Sequence, residues 1–386
     1  MKFIPYSCQT ISDDDVEAVR SVLRSEFLTQ GPAVATFEKA FAEEHGVAHA
    51  VSVSNATAGL HITCLALGVG PGDRVWTSPN SFVASANCAI HCGATVDFVD
   101  IDPHTRNLSV EALRAKLAAA ERKEFLPKVV IPVDFAGLPC DLRELRALAD
   151  RYGFFLIEDA SHATGASYLG NPVGSEFAHA TVFSFHAVKI ITTAEGGIVA
   201  TQDDQIAARL RLLRSHGITR NPAGMDNVPD GPWYYEQTAL GFNFRLTDIQ
   251  AALGNSQLRR LRELHAQRRA LAESYNAMLR DLPLILPPSL PDRESSWHLY
   301  VVEIDETLTR AVRSKVFQAL LEARIGVNVH YLPIHLQPYY KRLGFSKGSF
   351  PASEHYYSRA LTLPLFPRMT PEQQAFVTST LRRALD

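Results

Sequence analysis

The chain has 386 residues, of which 46% are hydrophobic, so it is long enough for one large domain and a smaller one around a sizeable core. Its 38 basic and 41 acidic residues are interleaved and give a formal net charge of −3. This balance excludes the concentrated basic surface of a nucleic-acid-binding protein. No apolar run approaches the roughly 20 residues that span a bilayer, so we expect neither a nucleic-acid partner nor a membrane segment.

The five cysteines are scattered and odd in number, which favours a reducing compartment over a disulfide framework. Cys88 and Cys92 share one face of a predicted helix, but His91 lies off that face and no second ligand pair follows. We therefore predict no metal site. No long apolar stretch precedes Ser12, so we expect no signal peptide and a cytoplasmic location.

From about residue 49 to residue 201, short apolar strands alternate with helices. Near-continuous apolar strands joined by helices predict an α/β fold with a mainly parallel sheet that is covered by helices on both faces. The last two strands are not separated by a helix long enough for a crossover, so we expect an antiparallel pair there. The predicted strands are 50–54, 74–78, 95–100, 128–134, 154–159, 180–185 and 197–201, and the predicted helices are about 57–67, 81–92, 109–121 and 141–152.

The second half of the chain contains an irregular insertion, a long helix and a proline-rich passage. The insertion, 221–232, is rich in Pro, Gly and Asp, and such segments often serve function. A single helix is predicted over about 247–280, and four prolines follow within 283–291. The sequence thus predicts a large domain with an N-terminal arm over 1–260 and a small α+β domain over 261–386, with strands at 299–304 and 326–331.

Lys189 lies between two apolar runs that are predicted to be buried strands. Burial of an unpaired ammonium lowers its pKa toward that of a neutral, nucleophilic amine, which is what a Schiff-base lysine requires. An isolated lysine at such a place more often extends from a strand end to the surface, so this residue alone does not decide the function.

A second candidate group, Asp159 with His162, follows the predicted strand 154–159. Ligand-binding groups of open α/β sheets collect at the carboxyl ends of the strands. An aspartate there, 30 residues before a candidate Schiff-base lysine, suits pyridoxal phosphate (PLP), because the carboxylate would keep the pyridine nitrogen protonated. The alternative interpretation of Asp159 is a helix N-cap.

A third candidate feature is the turn from strand 50–54 into the helix at about 57–67. Small and hydroxylic residues at a helix N-terminus leave backbone N–H groups free to bind an anion. Thr57 can add a hydroxyl group there, and Ser184 can add another from the lysine segment. An ordinary capped helix start is the alternative.

The three features occur within motifs that resemble those of the DegT/StrS sugar aminotransferases, which are fold-type-I PLP enzymes. Seven motifs match in order over nearly the whole chain. They are 28–31 (Leu-Thr-Gln-Gly), 78–84 (Ser-Pro-Asn-Ser-Phe-Val-Ala), 158–162 (Glu-Asp-Ala-Ser-His), 184–197 with Lys189, 215–217 (Ser-His-Gly), 241–252 with Asn243, and 329–333 (Val-His-Tyr-Leu-Pro). Within the family, four segments are most similar to the C4-aminotransferase of pseudaminic acid biosynthesis: 28–31, 243–246 (Asn-Phe-Arg-Leu), 297–300 (Trp-His-Leu-Tyr) and 330–331 (His-Tyr). The segment around Lys189 is also similar to that of the 4-amino-4-deoxy-L-arabinose aminotransferases.

The resemblance implies a role for each matching residue. Lys189 would hold PLP as a Schiff base, Asp159 would pair with the pyridine nitrogen, and His162 would lie near the phenolic oxygen. Phe82 would stack on the ring, and Asn243 would contact the phosphate in the neighbouring subunit, which implies a homodimer. The phosphate would otherwise be held by Ala56, Thr57 and Ser184. The residues expected to line the sugar-nucleotide pocket are Tyr6, Leu28, Thr29, Gln30, His330, Tyr331, Leu332 and Pro333.

The implied reaction moves an amino group from L-glutamate to C4 of a UDP-linked 4-keto-6-deoxy-N-acetylhexosamine, giving UDP-4-amino-4,6-dideoxy-N-acetyl-β-L-altrosamine. The alternatives are a different 4-keto nucleotide sugar, such as UDP-4-keto-L-arabinose or a D-series trideoxy sugar, and a non-catalytic PLP-binding regulator. A dehydratase on the same scaffold would carry histidine in place of Lys189. Leu332 departs from the family pattern, in which a basic residue is frequent, and so does the 56–59 segment (Ala-Thr-Ala-Gly).

Overall fold

A seven-stranded mixed sheet forms the centre of the larger part of the molecule in the computed structural model, which describes residues 2–386. The strands in chain order are β1 (His49–Val53), β2 (Arg74–Thr77), β3 (Thr95–Phe98), β4 (Val129–Ile131), β5 (Phe155–Asp159), β6 (Ser167–Tyr168), β7 (Asn171–Pro172), β8 (Ala180–Ser184), β9 (Gly197–Thr201), β10 (Ile218–Thr219), β11 (Glu236–Gln237), β12 (Leu284–Ile285), β13 (Arg293–Glu294), β14 (Tyr300–Ile304) and β15 (Ala360–Leu363). The large sheet has the order β1-β9-β8-β5-β4-β2-β3.

The sheet is parallel except for β9, which runs antiparallel to both of its neighbours, β1 and β8. This arrangement confirms the expected α/β fold and the antiparallel pair at 180–201. Every residue of β8 and β9 is buried, which explains why apolar residues follow one another in both strands, at 182–183 and 198–200, rather than alternating with polar ones. The smaller sheets are β12-β14-β15, β13-β6-β7 and β10-β11.

Helices cover both faces of the large sheet. They are α1 (Asp13–Leu23), α2 (Pro32–His45), α3 (Ala56–Ala66), α4 (Ala84–His91), α5 (Val110–Glu121), α6 (Leu142–Tyr152), α7 (Asp204–Arg214), α8 (Asp248–Arg259), α9 (Leu261–Leu279), α10 (Arg313–Glu322), α11 (Pro338–Arg342), α12 (Pro351–Arg359) and α13 (Pro371–Leu385). Within residues 2–386, no helix is both long enough and apolar enough to cross a membrane.

Helix α3 lies unusually close to the sheet because residue 59 is glycine. A Cβ atom at Gly59 would lie 3.0 Å from Cγ1 of Val182 and 3.3 Å from side-chain atoms of Val199 and Val53. The close approach places the N-terminus of α3 beside the carboxyl end of β8. The start of helix α3 and the end of strand β8 therefore lie at the same edge of the sheet.

A separate apolar cluster lies under the C-terminal sheet and is formed by α9, α10, α13, β14 and β15. Ile4 belongs to this cluster and forms a parallel bridge with Ile325, so the N-terminal arm packs against the C-terminal part of the chain. We propose that the domains divide near residue 260, as predicted.

Two sequence predictions in the C-terminal half were wrong. The helix predicted over 247–280 is two helices, because the backbone of Arg260 (φ −100°, ψ 4°) leaves the helical region between α8 and α9. The predicted strand 326–331 is an extended segment with only an isolated bridge, Asn328 to Thr362. The insertion at 221–232 lies in the connection between β10 and β11 and contains one turn of 3₁₀ helix, Pro222–Gly224.

Candidate active site

A cavity of about 610 Å³ opens at the carboxyl ends of β5 and β8, beside the N-terminus of α3. Its volume is in the range of small-molecule sites, and its position is where open α/β sheets bind ligands. The cavity collects most of the residues that the sequence motifs singled out: Tyr6, Ala56, Thr57, Phe82, Asp159, His162, Ser184, Lys189, His330, Tyr331 and Leu332.

Lys189 lies in the turn that follows β8, where its backbone N–H donates a 2.9 Å hydrogen bond to the carbonyl of His186. Burial lowers the pKa of Lys189 to about 8, although the negative charge of Asp159 opposes that shift. At pH 7 about a tenth of the side chains are therefore free amines, far more than for a lysine of ordinary pKa. This is the state that the sequence analysis inferred from the flanking apolar runs.

Asp159 is buried at the end of β5, and two serines hold its carboxylate. Ser85 Oγ donates a 2.6 Å hydrogen bond to Oδ2, and Ser161 Oγ donates a 2.6 Å hydrogen bond to Oδ1. The backbone is fixed as well, because Asp159 N donates to the carbonyl of Pro132 at 2.9 Å. The N-cap alternative is wrong, since β6 and not a helix follows β5. The carboxylate is therefore preorganised toward the cavity.

The N-terminus of α3 directs free backbone donors toward the cavity. Asn55 is the N-cap, and its side chain accepts a 2.9 Å hydrogen bond from Ala58 N. The first N–H groups of the helix, those of Ala56 and Thr57, have no intrahelical acceptors and can bind an anion. A Cβ atom on Gly197 would lie 2.8 Å from Ala56 N, so glycine is required for β9 to begin this close to the helix.

Phe82 precedes α4 on the wall of the cavity, and 60% of its surface is exposed. A large aromatic side chain that is left uncovered beside a cavity favours stacking on a planar ligand. Phe82 therefore lies on the cavity wall, and its stacking on the cofactor ring remains a prediction.

Three buried histidines, His162, His298 and His330, line the cavity beside Lys189. His162 Nε2 lies 3.2 Å from the hydroxyl of Tyr331, and the rings of His162 and His298 are 4.4 Å apart. Burial, together with the positive charge of Lys189, lowers the pKa of His162 and His298 well below the usual value and that of His330 to about 3. All three imidazoles are therefore neutral at physiological pH.

The predicted sugar-pocket residues fall into two groups in the structure. Tyr6, His330, Tyr331 and Leu332 line the cavity, and the rings of Tyr6 and His330 are 5.7 Å apart. Pro333 is buried immediately behind them.

The other group does not reach the cavity of its own chain. Thr29 pairs with Thr247, and the carbonyl of Leu28 accepts from Asp248 N at 3.0 Å. Gln30 lines a second cavity of about 270 Å³ together with Arg245 and Ser215. Exposed Asn243 pairs with Ser215 beside that cavity. The placement of Leu28, Thr29, Gln30 and Asn243 in an active site remains a prediction.

The sequence analysis missed five residues that contribute to the site: Ser85, Ser161, His298, Asn328 and Gln337. Ser161 and His298 lie inside matched motifs, so the motifs located them without indicating a role. Ser85 is the residue directly after the 78–84 motif, in the first turn of α4, and only the packing of α4 on the sheet shows that it meets Asp159.

These groups fit pyridoxal phosphate. The site offers an anion-binding helix N-terminus for the phosphate, an exposed aromatic ring for stacking, a fixed carboxylate for the pyridine nitrogen, and an amine of lowered pKa for the aldehyde. The fold and the site together define a PLP-dependent aminotransferase of fold type I.

Comparison with known proteins identifies the family. The family model described as DegT/DnrJ/EryC1/StrS aminotransferase matches residues 9–382. The chain belongs to this family, and the prediction made from its motifs is confirmed.

Similar proteins cover the whole chain. The spore coat polysaccharide biosynthesis protein SpsC of Bacillus subtilis is 39% identical over 98% of this chain and 96% of its own length. Helicobacter pylori PseC, described as an aminotransferase involved in the biosynthesis of pseudaminic acid, has a structure similar to this one, with a TM-score of 0.89 and 31% identity over 100% and 99% of the two chains. The PMP form of Streptococcus pneumoniae Spr1654 has a TM-score of 0.90 and 29% identity over 99% and 98% of the two chains.

Proposed function

We propose that this enzyme transfers the amino group of L-glutamate to C4 of a UDP-linked 4-keto-6-deoxy-N-acetylhexosamine. The product would be UDP-4-amino-4,6-dideoxy-N-acetyl-β-L-altrosamine, an intermediate of pseudaminic acid biosynthesis. The likeness to PseC over the full length of both chains carries this proposal. The likeness to a polysaccharide biosynthesis protein also favours an activated sugar as the substrate.

In this proposal, the phosphate of the cofactor binds at the start of α3, where Ala56 and Thr57 offer N–H groups and Thr57 and Ser184 offer hydroxyls. Phe82 would cover one face of the pyridine ring. Asp159, held by its two serines, would pair with the ring nitrogen and keep it protonated, because an ionised carboxylate favours the charged form of the base it contacts. The bound cofactor supplies an electron sink for the carbon that loses a proton.

Lys189 is proposed to move the protons of the reaction. Its Nζ takes a proton from the substrate carbon as a neutral amine and gives it back at a neighbouring position. A base is most effective when its pKa lies near the working pH, and burial brings the pKa of Lys189 to about 8. The neutral histidines beside it add no positive charge that would lower this pKa further.

The sugar is proposed to bind against Tyr6, His330, Tyr331 and Leu332, across the cavity from α3. Burial raises the pKa of both tyrosines, so their hydroxyls remain protonated and serve as hydrogen-bonding groups for an uncharged sugar. Residues 329–332 belong to the C-terminal part of the chain. The two parts of the chain would therefore enclose the substrate between them.

The enzyme is proposed to act as a homodimer that shares its active sites. Leu28, Thr29, Gln30 and Asn243 match motif residues of the family but lie outside the cavity of their own chain. Large apolar side chains in the same region are exposed, including Phe27, Leu28 and Leu240. If a second copy of the chain covers these apolar side chains, the motif residues of the first copy would lie at the cavity of the second copy.

A different 4-keto nucleotide sugar is the second candidate substrate. Leu332 is the observation that favours it, because an apolar side chain lines the cavity where a basic residue is frequent in the family. UDP-4-keto-L-arabinose and D-series trideoxy sugars would undergo the same chemistry.

The proposal is tested by NMR identification of the product. Purified enzyme, PLP and L-glutamate are mixed with UDP-4-keto-6-deoxy-β-L-arabino-HexNAc, which its dehydratase generates in situ. A new 4-amino sugar of L-altro configuration supports the assignment. Amination only of a D-xylo 4-keto sugar or of UDP-4-keto-pentose would retain the aminotransferase and reject the pathway. Absence of amination of all three sugars would favour a regulator.

A further inference from the structure

A buried glutamine on α8 connects two segments that are far apart in the sequence, the N-terminal arm (2–12) and the lysine segment (184–197). Gln257, which is 1% exposed, accepts a 3.4 Å hydrogen bond from Thr192 N and donates a 3.0 Å hydrogen bond to the carbonyl of Thr10. Thr192 belongs to the lysine segment and Thr10 to the arm. A single amide therefore holds the two segments together.

Only one orientation of this amide satisfies its neighbours. The side-chain nitrogen also donates to Oδ2 of Asp15 at 2.6 Å. Burial opposes the ionisation of Asp15, but its hydrogen bonds, including the one from Gln257, outweigh burial and lower its pKa, so the carboxylate is an acceptor. The carbonyl of Thr10 also only accepts, whereas the N–H of Thr192 only donates. Glutamine meets these demands because its amide has an acceptor on one side and two donors on the other.

The arm lies against a small cavity that adjoins Lys189. This cavity has a volume of about 10 Å³, and Lys189 lines both it and the active-site cavity. Cys8, Gln9 and Thr10 of the arm line the small cavity together with Gln257. A space of this size holds about one water molecule. The arm therefore limits the water that reaches the lysine from the side away from the active-site cavity.

The other hydrogen bonds that hold this part of the arm are long or lie at the surface. Ser7 Oγ donates to the carbonyl of Val188 at 3.4 Å, and the exposed Arg368 donates to the carbonyl of Gln9 at 3.0 Å. Within residues 2–386, Gln257 is the only residue outside the arm and the lysine segment whose side chain hydrogen-bonds to both. Its loss should therefore loosen the arm where the arm covers the lysine.

We propose that Gln257 is a positioning residue that holds the arm against the lysine segment and thereby keeps water from the back of Lys189. Gln257 does not line the active-site cavity, so it acts through the arm and not on the ligands themselves. The arm also carries Tyr6, which does line that cavity. The inference rests on the proposed role of Lys189 as the amine that holds the cofactor.

Release of the arm should return part of the ordinary basicity of Lys189. Burial lowers the pKa of this lysine to about 8, although the charge of Asp159 opposes the shift. Water at the back of the lysine would weaken the effect of burial, and we expect the pKa to rise by about one unit. The neutral fraction of the amine at pH 7, and with it the rate of PLP attachment, would then fall about tenfold.

The test uses Gln257→Met, which keeps the length of the side chain and its lack of charge but removes all three hydrogen bonds. Gln374→Met is the matched control, because Gln374 is 2% exposed, donates to the carbonyl of Leu271 at 2.7 Å and hydrogen-bonds to neither the arm nor the lysine segment. Neither variant substitutes a charged or titratable group around the lysine. These groups are Asp159, His162, His298 and His330 on the active-site side and Cys8 and Arg268 in the small cavity.

Stopped-flow absorbance gives the rate of PLP attachment to each cofactor-free protein between pH 6 and pH 10. We expect a midpoint near pH 8 in the wild type and in Gln374→Met, and a midpoint about one unit higher in Gln257→Met. Hydrogen exchange followed by mass spectrometry should be faster in the arm of Gln257→Met than in the arm of the wild type.

An unchanged midpoint in a folded Gln257→Met protein would overturn the inference, and so would an equal shift in the control. If Gln257→Met does not fold, Gln257→Asn replaces it, since its amide is one carbon shorter and cannot reach both segments. A wild-type midpoint in that variant would be equally decisive against the inference. If the wild type attaches no PLP, the role of Lys189 is rejected, and arm exchange at the wild-type rate in the variant would reject the role of Gln257 separately.

Discussion

Ser85 Oγ donates a 2.6 Å hydrogen bond to Oδ2 of Asp159 and thereby ties α4 to the carboxyl end of β5. The same hydroxyl lies 2.7 Å from Ser81 Oγ, so a short chain of hydroxyls ends at the carboxylate. Ser161 holds the other oxygen. The carboxylate expected to face the pyridine nitrogen is thus fixed before any ligand binds.

Ser85→Ala should weaken cofactor binding about tenfold or more, because a hydrogen bond to a charged group contributes roughly 1.5–3 kcal/mol. Fluorescence titration of the cofactor-free enzyme with pyridoxamine phosphate measures the affinity. Ser81→Ala is the matched control, since Ser81 contacts Ser85 and not Asp159. Equal losses in the two variants would contradict a specific role for Ser85.

Asp159→Asn should retain the fold and bind cofactor but lose most turnover, because a neutral amide cannot keep the pyridine nitrogen protonated. The amide oxygen can still accept from one of the two serines, Ser85 or Ser161, and the amide N–H can donate to the hydroxyl oxygen of the other, so both contacts can be kept. Steady-state turnover and the absorbance of the bound cofactor are measured together. Near-normal turnover would remove Asp159 from its proposed role.

The rate at which the cofactor-free enzyme attaches PLP should rise with pH and level off above about pH 8. Only the neutral amine of Lys189 attacks the aldehyde, and burial lowers the pKa of this residue to about 8. Stopped-flow absorbance gives the rate at each pH. Lys189→Ala is the control and should show no attachment and no turnover, with binding of pyridoxamine phosphate retained. A profile that keeps rising beyond pH 10 would show that the lysine has its ordinary pKa.

Glu158 and Asp134 form a buried acidic pair next to Asp159. Burial raises the pKa of Asp134 to about 6, and the negative charge of Asp159 adds to this shift. Burial, together with the negative charge of Asp134, raises the pKa of Glu158 well above its usual value. An acid whose pKa is higher in the folded state than in the unfolded state stabilises the protein at low pH, and this contribution is lost as the pH rises through the folded pKa.

Glu158→Gln should therefore make stability less dependent on pH above about pH 5. Below the folded pKa of Glu158, the wild type should lose about 1.4 kcal/mol per pH unit more than the variant, which is the slope for one proton. Urea unfolding between pH 5 and pH 9 gives the comparison. Thr181 can still donate its 2.8 Å hydrogen bond to the amide oxygen, which makes the substitution conservative. Parallel stability curves would contradict a protonated Glu158.

Lys189→Ala and Asn243→Ala should each be inactive or nearly so as homodimers, yet active when mixed. If Asn243 serves the neighbouring cavity, each mixed dimer contains one site with both substitutions and one wild-type site. Refolded or coexpressed mixtures are assayed against each parent alone. Mass spectrometry would show whether mixed dimers have formed. If they form but do not regain activity, Asn243 does not serve the partner's site.

Local sequence patterns were enough to predict a mainly parallel sheet, its antiparallel pair and the candidate role of Lys189. Apolar runs and the spacing of motifs can be read from neighbouring residues. Such local patterns indicate which strands are buried and which residue types follow them. Lys189, Asp159 and the start of α3 could be identified in this way because each lies at the end of a predicted strand or at the beginning of a helix.

The tertiary structure alone decided which distant side chains complete the site. Ser85 meets Asp159, and His298 meets His162, only because α4 packs on the sheet and the C-terminal part of the chain closes over the strand ends. The break at Arg260 and the loss of the predicted strand 326–331 have a similar cause, since packing between the two parts of the chain overrides local propensity. Hydrogen bonds between residues far apart in sequence leave no periodic signal, so no local pattern could predict them.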